Sequence, residues 1–85
     1  MKRLTANALS ALTDAELMQR IGCGEQAAFD TLYNRYARRL GGFFLRMLAY
    51  DTVKAEDMVQ ELFVRVWTYR KEYRSDQPFA SWLYA

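Results

Sequence analysis

No histidine occurs in this 85-residue chain, and cysteine and proline occur once each. General acid-base and nucleophilic sites rely on a poised histidine, a Cys–His pair or paired carboxylates in a cleft, so the composition argues against an enzyme. Cys23 has no partner for an intrachain disulfide and no histidine to share a metal with, which leaves a small apolar filler as its expected role. Glu56, Asp57 and Glu61 could face a hard cation, but bundle metal sites add Glu-x-x-His pairs from other helices, so no metal is expected. Glycine is scarce as well, with four in all. Gly22-x-Gly24 is too short for a phosphate-binding loop, and no nucleotide or other cofactor is indicated. Lys2 and Arg3 precede no continuous apolar segment, and no run approaches the roughly 20 apolar residues of a membrane span. No membrane insertion is expected, and a reducing cytoplasm fits best.

Hydrophobic residues make up 52% of the chain and aromatics 15%. That is too apolar for disorder, and the breakers are too few for many short strands. Eighty-five residues allow one domain with one modest core. The net charge of +2 is uninformative as a sum. Its distribution says more. Asp51, Glu56, Asp57 and Glu61 stand against Lys54, whereas residues 65–85 hold Arg65, Arg70, Lys71 and Arg74 against Glu72 and Asp76.

Residues 1–12 have weak periodicity and are expected to be a flexible arm, followed by a helical domain over 13–85. Thr13-Asp14-Ala15-Glu16 forms a capping box, with Leu12 and Leu17 placed as a hydrophobic staple. A helix of about three turns follows, with Leu17, Met18 and Ile21 as its apolar stripe and Gly22 and Gly24 as its stop. Phe29, Leu32, Tyr33, Tyr36, Leu40, Phe43, Phe44, Met47 and Leu48 then recur every three or four residues, predicting a helix of about 25 residues. Gly41-Gly42 inside it suggests close approach of another backbone in preference to a kink. Asp51 or Thr52 caps a further helix running to about Tyr69. Ser75-Asp76-Gln77-Pro78 is a loop, and Pro78 opens a last helix carrying Phe79, Trp82 and Leu83. The expected class is all-α, with three to four helices.

Two constellations could carry function. At 3.6 residues per turn Val59, Leu62, Phe63 and Val66 share one side of the third helix, and Asp57, Gln60, Glu61, Val64 and Arg65 share the other. The polar side is either a solvated surface with a Glu61–Arg65 pair worth about 0.2 to 0.5 kcal/mol, or a docking face for a basic partner helix, whose guanidinium groups fork onto carboxylates and amides. Periodicity does not choose. The second constellation interleaves seven of the thirteen aromatics (Phe63, Trp67, Tyr69, Tyr73, Phe79, Trp82, Tyr84) with Arg65, Arg70, Lys71 and Arg74. Single-stranded nucleic acid is held by that mixture, through stacking on rings and attraction of phosphates to cations. The alternative is that Phe63, Trp67, Phe79 and Trp82 complete a core.

Four strings, in order, resemble conserved region 2 of bacterial RNA polymerase sigma factors of the extracytoplasmic-function group. They are Asp14-Ala15-Glu16-Leu17-Met18-Gln19-Arg20-Ile21, Ala28-Phe29-Asp30-Thr31-Leu32-Tyr33-Asn34-Arg35-Tyr36, Ala55-Glu56-Asp57-Met58-Val59-Gln60-Glu61-Leu62-Phe63 and Phe79-Ala80-Ser81-Trp82-Leu83-Tyr84. The resemblance implies a compact helical bundle that binds core RNA polymerase and opens promoter DNA at the minus-ten element, with no catalysis of its own. It implies that Asp57, Gln60, Glu61, Val64 and Arg65 dock on the clamp-helix coiled coil of the largest polymerase subunit. Trp67, Tyr69, Arg70, Lys71, Tyr73, Arg74, Ser75, Phe79 and Trp82 would then meet the non-template strand, one base of which is captured unstacked. An anti-sigma factor is a further partner of such proteins. Gly22-Cys23-Gly24-Glu25-Gln26 departs from the polar Gly-Asp junction usual in the family. The last helix is expected to continue beyond Ala85, and the domain reading the minus-thirty-five element to be missing. A fragment of that kind should bind DNA poorly alone. The rival classes are a helical protein-interaction adaptor and, less well supported by the apolar 79–85 stretch, a helix-turn-helix reader of duplex DNA.

Overall fold

The computed structural model describes residues 5–84, which fold into helices and connecting turns without a strand. Five α-helices run in the order α1 (Ala6–Ser10), α2 (Asp14–Gly22), α3 (Gln26–Met47), α4 (Thr52–Thr68) and α5 (Phe79–Leu83), with a 3₁₀ turn at Arg70–Glu72 between the last two. The all-α expectation holds, with one short helix more than the sequence suggested. α3 spans 22 residues, about 33 Å at 1.5 Å per residue, and forms the spine against which α1, α2 and α4 pack.

Local chemistry explains the boundaries. The Thr13 N–H donates to Glu16 Oε1 at 2.9 Å and the Glu16 N–H donates to Thr13 Oγ1 at 3.1 Å, so the expected capping box starts α2. Leu17, Met18 and Ile21 are buried as its stripe. Gly24 then takes φ +87°, where a side chain would be strained, and the turn closes with the Glu25 N–H donating to the Arg20 carbonyl at 3.1 Å. Asp51 caps α4 by accepting from the Lys54 N–H at 3.1 Å.

Leu9, Leu17, Met18, Ile21, Ala28, Leu32, Tyr36, Leu40, Val59, Phe63, Val66, Phe79 and Leu83 form one buried cluster. It draws on all five helices. A polar clamp ties three of them together at its edge. Asp14, the first residue of α2, accepts from Arg35 Nη1 at 2.7 Å and from the Tyr36 hydroxyl, while Arg35 Nη2 donates to the Ser10 carbonyl at 3.1 Å.

Four expectations are corrected. Residues 5–12 are not an arm: Thr5 caps α1 by accepting from the Ala8 N–H at 3.2 Å, and burial of Leu9 in the core supplies the energy that so short a helix lacks by itself. Residues 1–4, the rest of that arm, lie outside the described residues. Cys23 is exposed at the end of α2, since the buried stripe ends at Ile21. Gly41 and Gly42 admit no close backbone, because a Cβ at Gly41 would meet nothing within 4 Å and one at Gly42 only the tip of Arg46 at 3.7 Å. α3 continues unbroken through both. Phe43 and Met47 extend the periodic stripe but are exposed, together with Tyr50 and Val53 at the α3–α4 turn. That turn places Ala49 and Tyr50 at φ +53° and +64°, left-handed conformations adopted here without glycine.

Burial, the hydrogen bond to Asp14 and the charge on that carboxylate push the Tyr36 phenol up to about 12 from its ordinary 10. A phenol that stays protonated longer in the folded chain contributes stability below pH 10 and loses it as pH rises towards 12. We therefore expect the unfolding free energy to fall over that window in the native chain and to be flatter in Tyr36→Phe. At pH 7 the same variant should lose about 1.5 to 3 kcal/mol, as for a hydrogen bond to a charged acceptor. Urea unfolding across pH checks both, and equal pH profiles for the two chains would contradict the assignment.

Candidate protein and nucleic-acid interfaces

Both candidate surfaces hang on α4. Val59, Phe63 and Val66 bury its inner side, with Phe63 edge-on to Tyr33 at 5.1 Å and to Phe29 at 5.9 Å on α3. Asp57, Gln60, Glu61, Val64 and Arg65 therefore all point to solvent, as the periodicity predicted. No ion pair joins Glu61 to Arg65 among the described residues, so the carboxylates remain open to a partner. Val64, one turn after Glu61 on this stripe, is 62% exposed, and Val53, one turn before Asp57 on the same line, is 67% exposed. A β-branched apolar residue at each end of a carboxylate row suits contact with another protein better than hydration. Val53 escaped the sequence reading, although its i, i+4 spacing to Asp57 was there to be seen.

About 18 Å along the helix from Asp57, given 12 residues at 1.5 Å each, Tyr69 caps α4 and the second surface begins. Its members divide. Tyr69, Lys71, Arg74 and Ser75 are exposed. Arg74 reaches Asp76 at 3.5 Å, but both are mostly in water, where such a pair contributes little. Trp67 is half-buried against Phe29, with ring centroids 5.3 Å apart. Arg70 lies 4.3 Å over the Trp67 ring and donates to the Trp67 carbonyl at 2.8 Å, so its cation closes the end of α4. Tyr73 is half-buried edge-on to Trp82 at 5.5 Å and to Phe79 at 6.1 Å, and its hydroxyl donates to the Gln77 carbonyl at 2.5 Å, closing the loop. Burial pushes the Tyr73 phenol up, with the charges of Asp14 and Asp76 adding to it.

Phe79 needs correction. It is 3% exposed and packs on Tyr36 at 5.3 Å, so it belongs to the core and offers no ring to a base. Its role is to support Tyr73 and Trp82. Around that support lies a polar depression of about 340 Å³ lined by Gln19 and Gly22 of α2 with Arg70, Lys71, Tyr73 and Ser75. Tyr69, Trp82, Trp67 and Arg74 lie outside it, whereas Arg70, Lys71, Tyr73 and Ser75 are brought together and Gln19 joins them. Its amide both donates and accepts, as reading a base edge requires. Nothing local in the sequence set Gln19 apart, since it reaches the loop only through packing of α2 beside the 3₁₀ turn. A second open groove, about 320 Å³, runs between α4 and α5 past Leu62, Arg65, Tyr69 and Trp82, linking the two surfaces. No helix among the described residues is long and apolar enough to cross a membrane.

Comparison with known proteins adds a family. Residues 32–85 match the family Sigma-70 region 2. The chain is 32% identical over 71 residues to the RNA polymerase sigma-H factor of Pseudomonas aeruginosa, covering 84% of this chain and 36% of that protein. It is 34% identical over 73 residues to the ECF RNA polymerase sigma-E factor of Escherichia coli K12, covering 86% and 37% respectively. Against the ECF RNA polymerase sigma-E factor of Haemophilus influenzae the identity is 32% over 73 residues, covering 86% and 38%. The chain thus spans a little over a third of the length of these curated relatives. No solved structure matches.

The division of the tip into core and surface is measurable. Phe79→Ala should destabilise the chain by about 3 to 5 kcal/mol, the usual cost of emptying a buried aromatic site. Tyr69→Ala should stay within about 0.5 kcal/mol, as surface changes do. Chemical unfolding of both variants checks this, and a neutral Phe79→Ala would return that ring to the surface.

Proposed function

The chain belongs to the Sigma-70 region 2 family, and from that premise we propose that it acts in transcription initiation, docking on core RNA polymerase and holding one strand of promoter DNA as the minus-ten element opens. The observation that carries the reading is the division of α4. Its buried side directs Asp57, Gln60, Glu61, Val64 and Arg65 outward, and its far end delivers an aromatic and cationic tip. The polymerase performs the chemistry, and the chain supplies recognition in the bacterial cytoplasm.

Docking follows from the unpaired carboxylates. On this reading Asp57 and Glu61 accept forked hydrogen bonds from arginines on the clamp helices of the largest polymerase subunit. Gln60 adds an amide one turn away, and Val53 and Val64 exclude water at either end. Strand capture uses the tip. An unstacked base exposes its edge and ring face together, so the depression between α2 and the loop can test both. Ser75 and Gln19 offer edge contacts in the depression and Tyr73 lines it with a ring, Tyr69 and Trp82 offer faces to neighbouring bases in the adjoining groove, and Lys71 and Arg74 attract the flanking phosphates. Phe79, Tyr73 and Arg70 hold these groups in place, each through the internal contacts described above. An anti-sigma factor covering the α4 stripe would compete with polymerase for the same carboxylates.

Reversing charge on the stripe tests the docking half. Asp57→Arg combined with Gln60→Ala sets like charge against the partner, which costs several kcal/mol at an interface. Capture of the variant by immobilised core polymerase should fall at least tenfold while its far-ultraviolet circular dichroism stays helical. Undiminished capture would refute the docking face.

A further inference from the structure

The α4 stripe and the tip leave one strongly charged surface unexplained. Residues 31–50 contain Arg35, Arg38, Arg39 and Arg46 and not a single acid, so this stretch carries +4 in a chain whose total is +2. Arg35, Arg39, Gly42 and Arg46 follow i, i+4, i+7, i+11 spacing and share one face of α3, with Arg38 on the adjoining row. Arg35 is held by Asp14 and the Ser10 carbonyl. Arg38, Arg39 and Arg46 are exposed, and none of them forms an ion pair among the described residues. Like charges so close together repel one another, which makes the arrangement unfavourable until an anion is present.

The row starts beside α5, to which it is linked through the buried rings of Tyr36 and Phe79. The Arg39 guanidinium lies 5.9 Å from the Tyr36 ring centroid, Tyr36 meets Phe79 at 5.3 Å, and Phe79 meets Trp82 at 6.1 Å. From Arg38 to Arg46 is about 12 Å along the helix, with exposed Phe43 between them. All the cations are arginines, whose planar fork suits phosphate oxygens. An acidic protein would match the charge, but the row starts beside the helix that carries Trp82 of the tip, and that proximity favours nucleic acid.

We propose that Arg38, Arg39 and Arg46 form a phosphate track that carries the single DNA strand onward from the tip along α3. The proposal rests on the reading that the tip binds a promoter strand, and it adds a second binding element on a different helix.

The test measures binding of a single-stranded promoter oligonucleotide to the chain assembled with core polymerase, across a salt series of about 50 to 200 mM. Each lost phosphate contact on a single strand lowers the slope of log affinity against log salt by about 0.7, so Arg38→Gln, Arg39→Gln and Arg46→Gln together should make it shallower by about 2. Affinity at the lowest salt should drop at least tenfold. The corresponding triple lysine variant keeps the charge and should restore the slope, which separates phosphate contact from a folding defect. An unchanged slope in the glutamine variant, with Lys71→Ala still weakening binding, would overturn the track and leave the tip reading standing. Failure of the unaltered assembly to bind the oligonucleotide would overturn both. If the glutamine variant instead loses capture by core polymerase while binding DNA normally, the row is a protein contact and the proposal falls.

Discussion

Phe63 is the residue on which the arrangement turns. Its ring is buried edge-on between Phe29 and Tyr33, and with Val59 and Val66 it fixes the rotation of α4 about its own axis. A shift of one residue would turn the helix by 100° and bring a carboxylate or amide into a core that holds no charged or amide side chain among the described residues. The penalty for burying an unpaired charge thus directs Asp57, Gln60 and Glu61 outward as firmly as burial draws Phe63 in. Stability of the fold and aim of the interface are one property of this helix.

The same economy governs the tip. Phe79 fills the core beneath Tyr36, and in doing so fixes Tyr73 and Trp82 above it. The Tyr73 hydroxyl closes the loop on Gln77, and Arg70 closes the end of α4 over Trp67. Five of the nine residues expected to meet DNA, Trp67, Arg70, Tyr73, Phe79 and Trp82, are therefore buried or half-buried and build the tip from within. Lys71, Arg74, Ser75 and Tyr69 are left at the surface with their polar or aromatic groups accessible. A packed inner layer under an exposed, charged outer layer suits capture of a base that must first leave its stack.

Much of this was legible because the decisive signals are local. The Thr13–Glu16 box, the Asp51 cap and the two faces of α4 depend on residues within a turn or two of one another, and each is present as expected. What escaped depends on contacts between distant residues. Leu9 alone could not announce α1, since a five-residue helix forms only when a core accepts it. Gln19 reaches the loop by packing, not by sequence proximity. Gly41-Gly42 suggested a close neighbour, yet the chain turns at Ala49 and Tyr50 in left-handed conformations that residues of their type rarely adopt. Phe79 sits in an interleaved pattern that fits strand contact and core equally, and only its burial against Tyr36 separates them.

The central claim is that the outward side of α4 meets core polymerase. A photoactivatable benzophenone side chain placed at position 60, and at exposed position 34 on α3 for comparison, tests it directly. Irradiation in the presence of core polymerase should yield an adduct with the largest subunit from position 60 and none from position 34. No adduct from position 60, or equal yields from both, would contradict the account.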